Sequence, residues 1–426
     1  MSEEWDAYLK DPRIICKYGI KCYQKNPEHH KKYKHTPQLK AKAAKNEKKY
    51  RFQPYNKAKH DNTQPKGTGS IEEIVEELKK IKDDVNQPSG STNTVTEVKE
   101  EQQETPEAIV KSDSISFYDK NSEHSVLKEC FLVEMPEDFY KFYKCLSDNL
   151  EDVEQMLSSV NLQLIGPFEL FLGKLPKLED KNLYLIHWRF FYDPPEFQAV
   201  LKKKGNSELH IGYYRDDPNE KPVFLAKNDS SAGYALTPVS ENIFGAVYQF
   251  LQIEKKSSPF ISIACQKFME KIKKWAEENN YSIEEFNFKN RIKKIICKTF
   301  HGAGIVVPYD KRTQLGYRKL TESDVNLKKM FKKLQAANSE VEKDKILSEL
   351  QPVLTYASIA MDECDFGTGL EAGIACFCSG LRELQISALT NFEVAYSLLQ
   401  RDAFTKIIKM HIKYRRQGPH MSVLGK

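Results

Sequence analysis

Apolar positions recur at helical spacing in one early stretch, where Ile71, Ile74, Val75, Leu78 and Ile81 follow the capping-box pattern Ser70-Ile-Glu-Glu73. That stretch reads as a transient linker helix or as one that docks on a partner. The continuous pattern starts near Ser125. In Met135–Cys145, Pro136 stands at a helix start, Glu137 and Asp138 fill the first turn, and Phe139, Phe142 and Tyr143 form a buried stripe. Leu183–Tyr192 is aromatic and apolar enough for a strand closed by Asp193-Pro194-Pro195, and Glu208–Arg215 predicts another, ended by Asp216-Asp217-Pro218. Helical patterns follow over 239–254, 258–279 and 323–350, with strands expected at Ile292–Phe300 and Ile305–Val307. The pattern predicts an α+β body with a largely helical C-terminal part. Its last apolar run, Val353–Ala360, leads into Met361-Asp-Glu-Cys-Asp-Phe-Gly-Thr-Gly-Leu-Glu371. Gly367 and Gly369 are expected to break the helix there and leave Asp362, Glu363 and Asp365 at a turn.

At 426 residues the chain exceeds the size at which one core keeps growing, so more than one domain is expected. No run approaches the roughly 18 apolar residues that span a bilayer, and Met-Ser-Glu-Glu-Trp at the N-terminus is unlike a signal peptide. The nine cysteines are therefore expected in a reducing compartment, where metal binding is the first alternative to a disulfide framework.

The formal charge of +5 conceals an asymmetry. Residues 1–67 hold 17 Lys/Arg against 7 Asp/Glu, whereas residues 68–125 hold 6 against 14. The first segment is basic enough to seek a polyanion. Its Lys-rich run from Lys31 to Arg51 reads as a nuclear-import signal, a polyanion arm or a solvated linker. Residues 61–125, rich in Asn, Thr, Gln, Pro, Ser and Glu, are expected to be disordered.

The most specific short motif lies in residues 13–37. Cys16 and Cys22 are separated by five residues, Cys22 and His29 by six, and His29 and His35 by five. Two Cys and two His meet the tetrahedral demand of structural Zn²⁺, and so short a stretch needs such a staple to fold. His30 competes with His29 as the third ligand. The pattern Cys-x-Tyr-Gly-x-x-Cys-Tyr, with Lys-Asn-Pro and two spaced histidines after it, resembles the poly(ADP-ribose)-binding (PBZ) zinc finger. The resemblance implies that Tyr18 and Tyr23 stack on adenine rings of the polymer while Arg13 and Lys25 meet its pyrophosphates. Gln24 stands where the family often has Arg, which puts one phosphate contact in question.

The acidic cluster allows two readings. Adjacent carboxylates raise the proton affinity of at least one of them, the setting that a general base needs, or they form a solvated helix end. Competing motifs fail. His301-Gly-Ala-Gly304 lacks the further glycine and helix of a dinucleotide site. Asp365-Phe366-Gly367 stands without a kinase's other motifs. No nucleophile elbow and no P-loop is present. His187 and His210 read as satisfied core histidines. Cys364, Cys376 and Cys378 read as buried structural thiols.

Five ordered blocks, at 135–140, 187–198, 298–308, 316–318 and 362–371, make residues 126–415 resemble the histone PARylation factor family. The family docks on a DNA-damage-activated poly(ADP-ribose) polymerase and completes its active site, redirecting transfer to serine. It is an accessory factor and not a free-standing enzyme; NAD is bound by the polymerase. The resemblance implies that Glu363 is the general base and that Asp362, Tyr317 and Arg318 meet the partner. Ile359 stands where a vertebrate member has an aromatic interface residue. Vertebrate members lack the finger, so the chain looks like a variant with a polymer reader attached. Expected partners are the polymerase, histones and poly(ADP-ribose), with no membrane and no sequence-specific DNA binding. The expected location is the nucleus, on chromatin at damage sites. The organisation expected is a finger at 10–38, a linker at 39–125 that is basic and then acidic, and a two-lobed body. Its N-terminal lobe is placed at 126–255, and the lobe carrying the catalytic-complementing loop at 256–420. A polymer-reading scaffold and a self-sufficient ADP-ribose hydrolase or transferase are the alternatives.

Overall fold

The computed structural model describes residues 11–15, 31–34, 115–148 and 152–425. The chain divides into two units, 1–97 and 98–426. In the first, β1 (Ile14–Ile15) pairs in parallel with β2 (Tyr33–Lys34). The predicted helix after Ser70 and the expected linker lie outside the described residues.

The second unit opens with α1 (Ser125–Phe131) and α2 (Glu137–Ser147). Pro136 stands at the N-cap of α2, and Phe139 and Phe142 are fully buried as the stripe predicts, whereas Tyr143 is half-buried, its hydroxyl donating to Phe171 O at 2.9 Å. After α3 (Val153–Ser159), β3 (Leu162–Leu164) and α4 (Glu169–Leu172) come β4 (Phe197–Lys203), β5 (Leu209–Tyr214), β6 (Phe224–Asp229) and β7 (Thr237–Ser240). They form one antiparallel sheet in the order β3-β4-β5-β6-β7. Two cores cover its faces. Val200, Leu201, Ile211, Tyr213 and Leu225 face a core shared with α1, α2, α5 (Ile243–Glu254) and α6 (Pro259–Glu278). Phe197, Ala199, Tyr214, Phe224 and Ala226 face a smaller core closed by Ile165, Trp188 and Met421. The irregularity between Ala199 and Leu201 resets the alternation, so the consecutive residues Val200 and Leu201 both enter the first core.

A short α7 (Phe288–Ile292) leads to the helical part: α8 (Asp324–Ala336), α9 (Glu340–Asp362), α10 (Phe366–Ser379), α11 (Gln385–Leu398) and α12 (Asp402–Lys413). These pack around a third core that includes Leu327, Phe331, Val353, Phe377, Phe392 and Ile408. No described helix is long and apolar enough to cross a membrane. The α+β class is as the pattern predicts.

Several expected elements differ. Leu183–Tyr192 is not a strand: residues Lys181–Ile186 form a 3₁₀ helix, and turns follow. Its apolar side chains enter four different clusters, Tyr184 one, Leu185 another, Trp188 and Phe190 a third, Leu183 and Ile186 a fourth. A two-faced strand cannot supply four directions. The strand lies at 197–203 instead. Of the strands expected at 292–300 and 305–307, only a bridge between Cys297 and Ile305 forms. The buried Arg291 side chain holds that region, donating to Asp216 at 2.8 Å and to the Ala303 carbonyl at 2.7 Å. The helix expected over 323–350 is two, because Ser339 caps a new start by accepting from Glu342 N at 3.2 Å. The helix expected from 239 begins at Ile243, since residues up to Ser240 belong to β7.

Candidate functional site

The helix break falls at Glu363–Asp365, and not at the glycines. Asp362 ends α9, Glu363 is its C-cap, Cys364 takes a left-handed turn (φ +70°), and α10 starts at Phe366. Gly367 and Gly369 lie inside α10, where space rather than flexibility requires them. A Cβ at Gly369 would stand 2.1 Å from Met361 Sδ, so glycine lets α10 pack directly on the end of α9.

Asp365 occupies the N-cap position of α10 yet makes no capping bond with its side chain. Its carboxylate turns to the loop 316–318 instead. Oδ1 accepts from Gly316 N at 2.8 Å and Oδ2 from Arg318 Nε at 2.5 Å. The loop is fixed at three further points. Gly367 N donates to Gly316 O at 3.0 Å, Arg318 N donates to Thr368 Oγ1 at 2.9 Å, and that hydroxyl donates to Arg318 O at 2.7 Å. Gly316 has φ +113°, and a Cβ there would lie 2.2 Å from Pro308 O; only glycine fits.

Arg318 thereby reaches Glu363. Nη2 donates to Glu363 Oε2 at 2.5 Å, and the guanidinium sits 5.9 Å from the centre of the Tyr356 ring. The Asp365 side chain is 5% exposed and that of Glu363 is 58% exposed, so the arginine links a buried anchor to a solvent-facing carboxylate. The bond to Glu363, reinforced by Asp365, raises the affinity of the guanidinium for its proton. Asp362 is exposed beside Glu363.

The neighbouring Tyr317 points inward, its hydroxyl donating to Glu371 Oε2 at 3.1 Å. Burial lifts the Glu371 carboxyl to about 7, and burial together with the nearby Cys297 thiol and Glu371 pushes the Tyr317 hydroxyl up. Tyr317 is thus an internal prop of the loop, and Arg318 is the residue it offers outward. Of the residues the sequence singled out, Glu363, Asp362 and Arg318 stand together at the surface, whereas Tyr317, expected to meet the partner, turns its hydroxyl inward to Glu371. The sequence reading missed the anchoring by Asp365, Thr368 and Glu371. A buried threonine on the first turn of α10 carries no recognisable signal in one dimension.

Other candidates resolve as scaffold. His187 Nε2 meets Glu169 Oε2 at 2.6 Å and His210 Nε2 meets Asp193 Oδ1 at 2.7 Å, both buried as expected. His301 is 1% exposed, and its Nδ1 accepts from Ala303 N at 3.2 Å. Cys376 and Cys378 are buried thiols. Cys364 is exposed, contrary to the expectation of a buried one, because the left-handed turn that ends α9 throws it outward. All seven described cysteines are free.

In the first unit, Cys16, Tyr18, Cys22, Tyr23, Lys25, His29 and His35 lie outside the described residues. Arg13 is exposed and paired with Asp11 at 2.5 Å, which lowers the Asp11 carboxyl to about 2. Ile15 pairs with Lys34; Cys16 and His35 follow these two positions in sequence. A closure at that point fits a metal held by ligands from both ends of the stretch.

The family model for histone PARylation factor 1 matches residues 122–415. The chain belongs to that family. A PBZ domain model matches residues 13–38, and it is a zinc-finger domain. The chain is 37% identical over 327 residues to histone PARylation factor 1 of Danio rerio, covering 74% of this chain and 94% of that protein. It is 36% identical to the Mus musculus protein over 319 residues (72% and 91%), and 36% identical to that of Bos taurus over 296 residues (66% and 84%). The site loop and the α9–α10 junction both lie within the matched region of this histone PARylation factor family member.

Proposed function

We propose that this chain is an accessory factor that completes the active site of a poly(ADP-ribose) polymerase and directs ADP-ribose transfer to serine, on histones and on the polymerase itself. The observation that carries the reading is the presentation of Glu363. Its carboxylate stands on the open surface at a helix end, positioned by an arginine that is itself anchored on a buried aspartate. A cavity of about 900 Å³ lies elsewhere, between α3 and α6, lined by Met156, Lys271 and Trp275 among others, away from Glu363 and Arg318. An exposed base suits chemistry completed by a second protein.

A serine hydroxyl is a weak nucleophile at neutral pH, and its proton must leave as the oxygen attacks the anomeric carbon of NAD held by the partner and the glycosidic bond to nicotinamide breaks, releasing nicotinamide. Glu363 accepts that proton. Carboxylate acceptors are already ionised and need no such help, so supplying one base changes residue preference as well as rate. The ion pair with Arg318 holds the Glu363 carboxylate in place before docking. Contact of Arg318 with the partner then draws Nη2 away and frees an oxygen to act. Asp362 adds charge to the docking face, and Tyr317 holds the loop from behind.

The PBZ finger binds poly(ADP-ribose). Cys16, Cys22, His29 and His35 hold Zn²⁺, which supplies the staple of the fold; Tyr18 and Tyr23 stack on adenine, and Lys25 and Arg13 contact phosphate. The location that follows is the nucleus, on chromatin at DNA damage. The decisive experiment incubates the chain with NAD and a serine peptide, with and without an activated polymerase. Serine labelling that requires both proteins supports the reading. Turnover without the polymerase refutes it in favour of a self-sufficient enzyme, and no effect on serine labelling refutes it in favour of a polymer-reading scaffold.

A further inference from the structure

Residues 286–337 hold 13 Lys/Arg against 3 Asp/Glu, a net of +10 in a chain whose total is +5. Two of these cations are engaged: Arg291 is buried on Asp216, and Arg318 is held by Glu363 and Asp365. The remaining eleven are all exposed. None of them is within ion-pair distance of a carboxylate among the described residues. A merely solvated lysine face carries interspersed acids, as α6 does with Lys273 facing Glu277 and Lys274 facing Glu278. Here the acids are few, and Asp324, one turn before Lys328 on the same helix, forms no ion pair with it.

Six of these cations lie on segments joined by contacts. Helix α8 carries Lys328 with Lys332 and Lys329 with Lys333 in two adjacent rows, each pair about 6 Å apart along the axis. Its other face, with Leu327, Phe331 and Leu334, is buried in the helical core. Lys328 Nζ lies 4.9 Å from the centre of the Phe300 ring, which joins α8 to the segment carrying Lys298. The Cys297 thiol in turn meets the Tyr317 hydroxyl, joining that segment to the loop that ends in Lys319.

We propose that this face, centred on Lys328, Lys329, Lys332 and Lys333, binds the phosphate backbone of duplex DNA without reading its sequence. Three features select the occupant. Lysines act as compact point charges, which suits phosphates met at variable angles, and lysine is depleted in protein–protein interfaces, where arginine is favoured. An unpaired nucleic acid or an adenine-bearing polymer needs exposed rings to stack on. The ring beside this face, Phe300, is half-buried between Lys328 and Phe331. What the face offers is charge at regular spacing, the requirement of a duplex backbone. The inference stands whether or not Glu363 acts as a base.

The test titrates the full-length chain against a short labelled duplex by anisotropy over a range of salt. It compares wild type with the variant Lys328→Gln/Lys329→Gln/Lys332→Gln/Lys333→Gln and with a control carrying Lys255→Gln/Lys256→Gln/Lys273→Gln/Lys274→Gln. Glutamine matches lysine in helix propensity, so α8 is kept, and circular dichroism checks it. The basic N-terminal run is common to all three proteins, so the difference between them isolates the face. The α8 variant is expected to bind at least about ten-fold more weakly at ~0.1 M salt, with a salt slope shallower by about 3.6, since each of the four lost phosphate contacts removes ~0.9. The control is expected to match wild type. Equal affinity and slope for the α8 variant would overturn the proposal. So would unchanged duplex binding with lost affinity for poly(ADP-ribose) or for the polymerase, which would assign the face to that polymer or to that protein.

Discussion

Arg318 donates from Nε to the buried carboxylate of Asp365 at 2.5 Å, and this one bond aims the rest of its guanidinium at Glu363. A surface ion pair alone is worth little, about 0–1 kcal/mol, because two long side chains must be ordered for it. Here the ordering comes from Asp365 and from the Thr368 hydroxyl, which holds both the N–H and the carbonyl of Arg318. The exposed carboxylate therefore has a defined position without having to create it.

Glu363→Gln keeps the volume and most of the hydrogen bonding of the side chain but cannot take up a serine proton. Transfer to serine should fall by the ~10²–10⁴-fold typical of a lost general base. Stability should barely change, because the side chain is mostly exposed. Labelling of Asp and Glu acceptors should not fall in parallel. Residue-resolved mass spectrometry of modified histone peptides, with a binding titration of the same variant, reads all three. Near-normal serine labelling by the bound variant would return the acidic cluster to a solvated helix end.

Arg318→Ala and Thr368→Val separate presentation from contact. The first removes the guanidinium and should weaken association with the polymerase, since neither water nor lysine restores the same donor geometry. The second leaves Arg318 in place but strips two backbone groups of their partner, each costing roughly 1–3 kcal/mol when buried. Its unfolding midpoint should drop while tight binding by the folded fraction is retained at low temperature. Unchanged affinity of Arg318→Ala in a titration would make the arginine a bystander.

Acid should loosen the body through two histidines. Burial lowers the His301 imidazole to about 3, with the nearby Arg291 charge adding to the shift, and burial lowers that of His411 well below its usual value. A base whose affinity for protons is lower folded than unfolded binds more protons in the unfolded chain. Its contribution is thus intact above about 6.5 and lost as pH falls from there toward 3. The buried Glu371 carboxyl, lifted to about 7, opposes this between about 4.5 and 7. His301→Gln removes one of the two histidines, so its melting temperature should fall less than that of wild type between pH ~7 and ~5. Parallel curves would rule out His301 as a contributor.

Cys22→Ala should abolish poly(ADP-ribose) binding and zinc uptake while serine labelling by the body continues. Zinc stoichiometry and a polymer-binding assay on the full chain check this. Polymer binding that survives chelation would show that the basic run, and not the zinc-held fold, is the reader.

Spacing along the chain was enough to locate the stripe of α2, the strand at β5, the two histidines paired in the core and the acidic cluster that ends α9. These depend on neighbours a few residues apart, and period and capping chemistry act at that range. The sequence also named Arg318 and Glu363 through its resemblance to the family. It could not say that they touch, since 45 residues separate them. The approach depends on Gly316 fitting under Pro308 O, on Gly369 admitting Met361, and on Asp365 giving up its own helix cap to hold a distant loop. It likewise misplaced the strand at Leu183–Tyr192, because aromatic composition fixes how much must be buried and not in how many directions. Only the tertiary structure decided that those side chains serve four clusters, and that α8, legible in one dimension as part of a longer amphipathic helix, turns four lysines outward with no ion pair to an acid among the described residues.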